Sequence, residues 1–354
     1  MWTQLFSLFL ACTGFQLVSQ DNARIYCRSL EFAMPLDSNL LIVPRNTQFT
    51  GTAPGAKKGL SWTARYGFVG MNQSLARNMI ADGLNEKGLV AGSFYLPGFA
   101  KYEAPNSNGI DTTLGAWELP TYLLSTCATI DEVKTALVKL LVAEQPTTGA
   151  GFSMPLHFYV GDQKGQVVVI EFVDGKRHVY DNPFRVLTNS PPFDWHLLNL
   201  GNYVGLSPVN HGALAVQPPV QGFGQGTGLL GIPGDYTPPS RFVRAALFSQ
   251  WAAKPKDALD AVRLGFHVLN TFDIFEGIVR SDKGETEITQ WTVVHDLTNL
   301  KTYFRGYGSL QVQSVDLKRI DFSKPGFREV PLNNTFTVTD NTESIAKSTA
   351  AENR

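Results

Sequence analysis

The chain has 354 residues, enough for one large domain or two ordinary ones, and 43% of them are hydrophobic, so a sizeable core is assured. Its 30 Lys and Arg residues balance 31 Asp and Glu residues, which argues against nucleic acid as a partner. The 3 cysteines are too few for a disulfide framework. Past the first residues no uncharged apolar run reaches the ~18 residues of a membrane span. We therefore expect no stable membrane insertion and a small-molecule partner.

The start of the chain has the pattern of an exported precursor. Cys12 directly follows an uncharged apolar run at residues 8–11, and a small pair follows it at residues 13–14. Residues 1–11 are shorter than the usual ~15–30 of a signal peptide and contain neither Lys nor Arg. We expect residues 1–11 to be a leader that is removed, so that the mature protein is periplasmic or secreted.

The position of Cys12 allows two interpretations. After a cut it would be the first residue, and its α-amino group, with an ordinary pKa of ~7.7–8.0, would be a base beside the thiol. Nucleophile and proton acceptor would then belong to one residue. Residues 8–12 also resemble, loosely, a bacterial lipid-attachment box. Because a lipid would block both sulfur and amine, a nucleophile and a lipid-anchored binding protein exclude each other, and both interpretations stay open here.

A hairpin is predicted directly after Cys12. Turn-forming residues at 20–22 separate two strand-like runs, in a register in which Gly14 faces Arg28. Because side chains alternate along a strand, Arg28 would lie on the same face as Cys12, and Cys27 on the other. A disulfide between Cys12 and Cys27 is therefore not expected.

Strands and helices alternate along the rest of the chain. Further strands are predicted at residues 39–43, 65–69, 89–94, 156–160, 166–172, 177–180, 185–187, 288–294 and 301–305. A capping box of Thr129 and Glu132 begins a helix whose apolar repeat runs to residue 141. A second helix begins near Thr237 with Arg241 in its first turn, and a third covers residues 257–269. Sheets at both ends of the chain with helices between them predict an α+β fold.

No linker divides the chain and no internal repeat is present. We therefore predict one domain over residues 12–338, followed by a polar, disordered tail over residues 339–354. The loops at residues 100–108 and 207–225 are long enough to suggest a function. Cys27 and Cys127 fit buried structural thiols, and the six histidines lack the spacing of metal ligands. We expect neither a metal nor a cofactor.

Several multi-residue motifs then identify a family. In chain order they are Cys12-Thr13-Gly14, Arg28-Ser29-Leu30-Glu31, Ile42-Val43-Pro44-Arg45, Asp82-Gly83-Leu84-Asn85-Glu86-Lys87-Gly88-Leu89, Thr188-Asn189-Ser190-Pro191, Gly224-Gln225-Gly226-Thr227-Gly228, Pro233-Gly234-Asp235-Tyr236-Thr237-Pro238 and Ser240-Arg241-Phe242. Over residues 12 to about 304 they resemble the choloylglycine hydrolase family of bile salt hydrolases and penicillin V acylases. The resemblance implies the four-layer αββα sandwich of the N-terminal-nucleophile (Ntn) hydrolases and, often, a homotetramer, in whose assembly the loop at residues 207–225 would take part.

The resemblance also implies a catalytic group of five residues. Cys12 attacks the amide carbonyl, and the guanidinium of Arg28 beside it favours the thiolate. Glu31 orients the N-terminal amine, in a position where most bile salt hydrolases carry Asp, which is similar to the Gram-negative branch of the family. The side-chain amide of Asn189 stabilises the oxyanion. Arg241 completes the group near the start of its helix.

Substrate-binding residues follow from the same resemblance. Tyr95 stands where bile salt hydrolases commonly have Asn and penicillin V acylases have Tyr, and its backbone N–H would serve the oxyanion. Leu30 is expected to contact the substrate. The pocket is expected from the loops at residues 30–35, 72–79, 96–106 and 149–154.

The sequence therefore predicts a cysteine amidase that forms an acyl thioester on Cys12. Conjugated bile salts are the first choice of substrate. Penicillin V and N-acyl homoserine lactones are the alternatives, since they present a similar amide beside an apolar acyl group. A non-enzymatic lipid-anchored binding protein on the same fold is the third and most remote possibility.

Overall fold

A computed structural model describes residues 10–73, 76–104, 109–145 and 153–348. The strands of this part of the chain are β1 (Leu10–Val18), β2 (Arg24–Phe32), β3 (Asn39–Val43), β4 (Gln48–Ala53), β5 (Lys57–Thr63), β6 (Phe68–Gln73), β7 (Ala76–Asn85), β8 (Val90–Tyr95), β9 (Thr113–Gly115), β10 (Leu141–Ala143), β11 (Leu156–Gly161), β12 (Val167–Val173), β13 (Lys176–Asp181), β14 (Val186–Leu187), β15 (Val279–Arg280), β16 (Thr286–Asp296), β17 (Lys301–Gly306), β18 (Gln313–Asp316) and β19 (Arg328–Pro331). The α-helices are α1 (Leu119–Thr126), α2 (Ile130–Lys139), α3 (Phe193–Asn199), α4 (Pro238–Trp251), α5 (Ala258–Leu269) and α6 (Thr342–Ser348).

Two large antiparallel sheets dominate the fold. The first has the strand order β14-β1-β2-β16-β17-β18, with β15 paired to β16. The second has the order β13-β12-β11-β8-β7-β6-β3-β19. Two small sheets, β4-β5 and β9-β10, lie beside them. Strands β1 and β2 are neighbours in the interior of the first sheet, so each of them is hydrogen-bonded to a strand on either side.

Helices cover the outer faces of both sheets. Helices α4 and α5 contact the first sheet at β1, β2 and β16, whereas α1 contacts the second sheet at β7 and β8. Two buried clusters follow from this layering. One joins the facing sheets with α4 and α5, and the other joins the second sheet with α1 and α2. The α+β fold with four αββα layers that the sequence predicts is confirmed.

The hairpin register is as predicted. Gly14 faces Arg28, and the turn is closed by a hydrogen bond from the Ser19 N–H to the Ala23 carbonyl. Cys27 lies on the opposite face of β2, against Gly265 of α5. The three cysteines are free thiols. None of the helices in the described ranges is both long and apolar enough to cross a membrane.

Some boundaries differ from the prediction. The strand predicted at residues 65–69 begins only at Phe68, because the N–H groups of Arg65 and Tyr66 donate to the Ser125 carbonyl at the end of α1. The helical repeat predicted to run to residue 141 ends at Lys139, and the next residues enter β10. The other predicted helix boundaries agree with the structure within one residue: the start near residue 237, and both ends of the helix predicted at residues 257–269. In the tail predicted to be disordered, residues 342–348 form α6, and residues 349–354 lie outside the described ranges.

Candidate active site

Cys12 and Arg28 meet between the two sheets. Arg28 Nη2 lies 3.5 Å from the Cys12 sulfur, and both side chains are buried. They are neighbours because β1 and β2 pair in the predicted register and both side chains point to the face that meets the second sheet. The contact places a fixed positive charge directly beside a thiol.

The second sheet holds Arg28 in this position. Its Nη1 forms an ion pair with Asp82 at 3.0 Å and donates to the Ala81 carbonyl at 2.6 Å, and its Nη2 donates to the Ser93 carbonyl. Burial alone would lower the pKa of Arg28, but the adjacent Cys12 and Asp82 outweigh burial and raise it. The guanidinium is therefore charged at every relevant pH.

Asp82 also contacts two side chains besides Arg28. Its Oδ2 also accepts from the Tyr26 hydroxyl at 2.9 Å, and its Oδ1 lies 2.8 Å from His295 Nε2. The other ring nitrogen of His295 lies 2.9 Å from the Thr302 hydroxyl. A Cβ at Gly92 would collide with Asp82 and would lie 2.7 Å from Arg28 Nη1, so this packing requires glycine there.

The thiol of Cys12 experiences opposing influences in the uncut chain. Burial is the largest and raises its pKa, with Glu31 acting in the same direction, while Arg28 and Arg241 lower it. Burial also raises the pKa of Cys27 well above its ordinary value and that of Cys127 to about 11. Neither of these receives a hydrogen bond from an arginine among the described residues. Of the three thiols, Cys12 is the one that an arginine contacts directly.

Arg241 and Asn189 hold the backbone of Cys12 from the side of α4. Arg241 Nη1 donates to the Cys12 carbonyl and, at 2.8 Å, to the Thr13 hydroxyl, and its Nη2 donates to Asn189 Oδ1 at 2.7 Å. The same Oδ1 accepts the Cys12 N–H at 2.9 Å. Arg241 lies in the first turn of α4, as predicted, because Pro238 begins that helix. The side chain and the backbone of Cys12 are thus contacted by different sets of groups.

Tyr95 stands at the end of β8, beside Asn189. Asn189 Nδ2 donates to the Tyr95 carbonyl at 2.9 Å. Leu30 is buried directly opposite Cys12 on β2 and belongs to the core between the sheets. The expected pocket loops at residues 72–79, 96–106 and 149–154 lie partly outside the described residues.

Two buried glutamates approach the peptide around Cys12. Glu31 pairs with Ala11 across the hairpin and accepts the Thr289 hydroxyl at 3.2 Å. Burial raises the pKa of Glu31 to about 8, although Arg241 lowers it. Glu287 accepts the Ala11 N–H at 2.8 Å, and burial raises its pKa as well.

Of the other four predicted catalytic residues, Arg28, Asn189 and Arg241 contact Cys12 directly. Glu31 lies on the neighbouring strand opposite Ala11 and contacts Thr289, not Cys12. Asp82, His295 and Glu287 join them without having been predicted. Asp82 stands first in one of the family motifs, which was a usable signal, whereas His295 and Glu287 have no local pattern. Within the described ranges no group of three or more His, Cys, Asp or Glu side chains could hold a metal ion.

Comparison with known proteins gives a consistent result. Residues 12–339 match the family of linear amide C–N hydrolases called the choloylglycine hydrolase family. A bile salt hydrolase/transferase of Clostridium perfringens is 31% identical over 92% of this chain and 98% of its own length. A penicillin V acylase of Pectobacterium atrosepticum is 28% identical over 90% of this chain and 84% of its own length. The crystal structure of a mutant conjugated bile acid hydrolase from Clostridium perfringens superposes with a TM-score of 0.85 at 29% identity, covering 93% of this chain and 99% of that one.

Proposed function

The chain belongs to the choloylglycine hydrolase family of linear amide C–N hydrolases, and on that premise we propose that its nucleophile is Cys12, acting as the free N-terminal residue. One observation carries this proposal. The Cys12 sulfur lies 3.5 Å from the fixed charge of Arg28, while its nitrogen is held by Asn189. A thiolate and an adjacent amine would thus both have partners in place.

The proposed reaction is acyl transfer in two steps. The thiolate of Cys12 adds to the carbonyl carbon of the substrate amide, and the tetrahedral adduct collapses as the C–N bond breaks. The α-amino group of Cys12 takes the proton of the thiol as the thiolate forms and then passes that proton to the leaving amine. Water then adds to the thioester and releases the acid, so that one water is consumed for each amide cleaved. Arg28 stabilises the thiolate, and Glu31 and Arg241 orient the α-amino end.

Oxyanion stabilisation is proposed for Asn189 and Tyr95. Asn189 Nδ2 carries two hydrogens, and its contact with the Tyr95 carbonyl uses one of them. The second hydrogen and the Tyr95 N–H are the candidate donors. Loss of one such donor in an enzyme costs about 2.7–4 kcal/mol of barrier.

Conjugated bile salts are the proposed substrates, with glycine or taurine as the leaving amine. The similarity to the bile salt hydrolase/transferase of Clostridium perfringens, over almost its full length, supports this choice. Penicillin V is the second candidate, because Tyr95 and the similarity to a penicillin V acylase both favour it. N-acyl homoserine lactones are the third. The release of glycine or taurine and the release of the penicillin V amine, measured at equal enzyme, decide between them, and equal rates would contradict the preference for bile salts.

Cys12→Ala and Cys12→Ser test the nucleophile. Both variants should lose hydrolysis, whereas Cys27→Ala, which changes a thiol on the opposite face of β2, should keep it. A Cys27→Ala variant that folds normally and is inactive would contradict the assignment. The intact mass of the purified protein should show a chain beginning at Cys12 with no lipid attached, and an acylated Cys12 would indicate the lipid-anchored binding protein instead.

We further propose export and self-association. Removal of residues 1–11 on the way to the periplasm or the medium predicts active protein in those fractions. A homotetramer, with the loop at residues 207–225 in its contacts, predicts four times the chain mass in light scattering. Val209, Leu214 and Phe223 of this loop are exposed apolar side chains, which supports a role in assembly.

A further inference from the structure

Two buried histidines hold the main chain on both sides of the Asn189 Cα. His157 Nε2 lies 3.1 Å from the Thr188 carbonyl oxygen, and His196 Nε2 lies 2.9 Å from the Asn189 carbonyl oxygen. Both rings are buried, and they come from different elements, His157 from β11 and His196 from α3. Because a carbonyl oxygen can only accept, the hydrogen must be on Nε2 in both rings. Each histidine therefore donates to one of the two peptide groups that Asn189 joins.

Glu171 holds both histidines in place. This carboxylate is buried on β12, and its Oε1 lies 2.8 Å from His157 Nδ1. Its two oxygens also accept the Phe193 N–H, at the start of α3, at 3.0 and 3.1 Å. His196 lies on the same helix, and its ring stacks on Phe242 with the ring centroids 4.6 Å apart. One carboxylate thus fixes one histidine directly and anchors the helix that carries the other.

The side chain of Asn189 is oriented by separate groups. Its Oδ1 accepts from the Cys12 N–H and from Arg241, and its Nδ2 donates to the Tyr95 carbonyl. These contacts fix the rotation of the amide, whereas the two histidines hold the main chain from which the amide projects. A displacement of about 1 Å at a reacting centre can cost about a hundredfold in rate. The position of this main chain therefore matters as much as the rotation of the amide.

We infer that His157 and His196 are positioning residues for Asn189, acting through its main chain without contacting the substrate. These roles rest on the proposed function, in which the Asn189 amide stabilises the oxyanion. Since that charge develops only in the transition state, a displaced amide lowers kcat and leaves KM nearly unchanged. Burial lowers the pKa of His196 to about 4, so its ring is neutral in use and keeps its one hydrogen for the carbonyl.

The test compares two substitutions of His196 in chains that begin at Cys12, with hydrolysis of conjugated bile salts and penicillin V as the assay. His196→Phe keeps an aromatic ring against Phe242 but removes the donor, and should lower kcat about ten- to a hundredfold with KM within about twofold. His196→Gln removes the ring but keeps an amide donor for the Asn189 carbonyl, so it should retain more of kcat. His267→Phe, the same change at an exposed histidine of α5, is the matched control and should keep kcat.

A double-mutant cycle separates positioning from a general loss of structure. In chains that already carry Asn189→Ala, neither His157→Phe nor His196→Phe should lower kcat further by more than about twofold, because the amide that they position is gone. Fully additive losses would overturn the inference. So would a folded His196→Phe chain with the unsubstituted kcat, or a loss that appears only in KM.

A measurement without substrate keeps this inference distinct from the proposed function. In protein whose histidines carry a nitrogen label for NMR, the ring of His196 near pH 7 should be neutral and protonated on Nε2, with its signals assigned by their loss in His196→Phe. A ring protonated on Nδ1 would overturn the inference, whichever amide is cleaved. An unsubstituted chain that hydrolyses none of the proposed substrates would instead overturn the proposed function.

Discussion

Replacement of Arg28 by Met tests the electrostatic basis of the nucleophile. Met fills a similar volume but removes the charge 3.5 Å from the Cys12 sulfur. At an effective dielectric constant of about 20, a unit charge at about 4 Å contributes about 4 kcal/mol to the stability of a thiolate. We therefore expect thiolate reactivity near pH 7 to fall by roughly a thousandfold.

The assay is alkylation of Cys12 by iodoacetamide as a function of pH, in chains that begin at Cys12, with the modified residue identified by peptide mass. This assay is independent of the substrate. Cys27 and Cys127 are internal controls, since burial raises the pKa of both thiols. Arg28→Lys keeps a charge but offers one ammonium in place of a fork that contacts Cys12, Asp82 and two carbonyls, so it should give an intermediate rate.

Stability must be followed in parallel. Arg28→Met leaves the buried carboxylate of Asp82 without its ion-pair partner, which costs about 3–5 kcal/mol in comparable cases. The double variant Arg28→Met/Asp82→Asn should recover part of this loss without recovering reactivity. A folded Arg28→Met chain whose alkylation profile matches the unsubstituted one would refute the assignment of Arg28 to the thiolate.

Two further predictions concern the surroundings of this pair. Burial raises the pKa of Glu31 to about 8, above the ~4.3 of an unfolded chain, so between these pH values the folded uncut chain keeps a proton that the unfolded chain loses. The free energy of unfolding should therefore fall by up to about 4 kcal/mol as the pH rises through this range. Glu31→Gln should remove this part of the slope of the unfolding free energy against pH, measured by urea titrations at pH 5 and 8. An unchanged slope would contradict the assigned protonation. Gly92→Ala should lower the free energy of unfolding by about 1–3 kcal/mol and displace Arg28. Gly161→Ala, whose added Cβ would meet side chains at 3.3 Å, should lower it less. Equal losses of unfolding free energy in urea would contradict the packing argument.

The part of the site that could be predicted from the sequence is the part formed by local structure. The pairing of Gly14 with Arg28 follows from a short turn and from side-chain alternation, and both are properties of neighbouring residues. The position of Arg241 follows in the same way from the proline that begins α4. Cys12, Asn189 and Tyr95 were assigned by resemblance, and the structure places them within one hydrogen-bonded group.

The remaining groups depend on strand order, which local patterns do not encode. Asp82 reaches Arg28 because β7 of the second sheet faces β2, and His295 reaches Asp82 from β16 of the first sheet. Glu287 stands 276 positions from its partner Ala11. A lone His or Glu inside a strand carries no signal of such a contact. The predicted start of the strand at residue 65 was wrong for the same reason, since the carbonyl of Ser125 in α1 accepts the N–H groups of residues 65 and 66 and the strand begins at Phe68.

Cys12 is the third residue of β1 and not its first, so activity depends on where the chain is cut as well as on its side chains. In the proposed mechanism the proton acceptor is the main-chain nitrogen, so no side-chain substitution can delete it. Only the length of the chain can. A retained affinity tag, a shifted start codon or one residue left by imprecise trimming would each convert that nitrogen to an amide and silence a protein that is otherwise folded. Activity per milligram would then report the fraction of molecules with a correctly placed end.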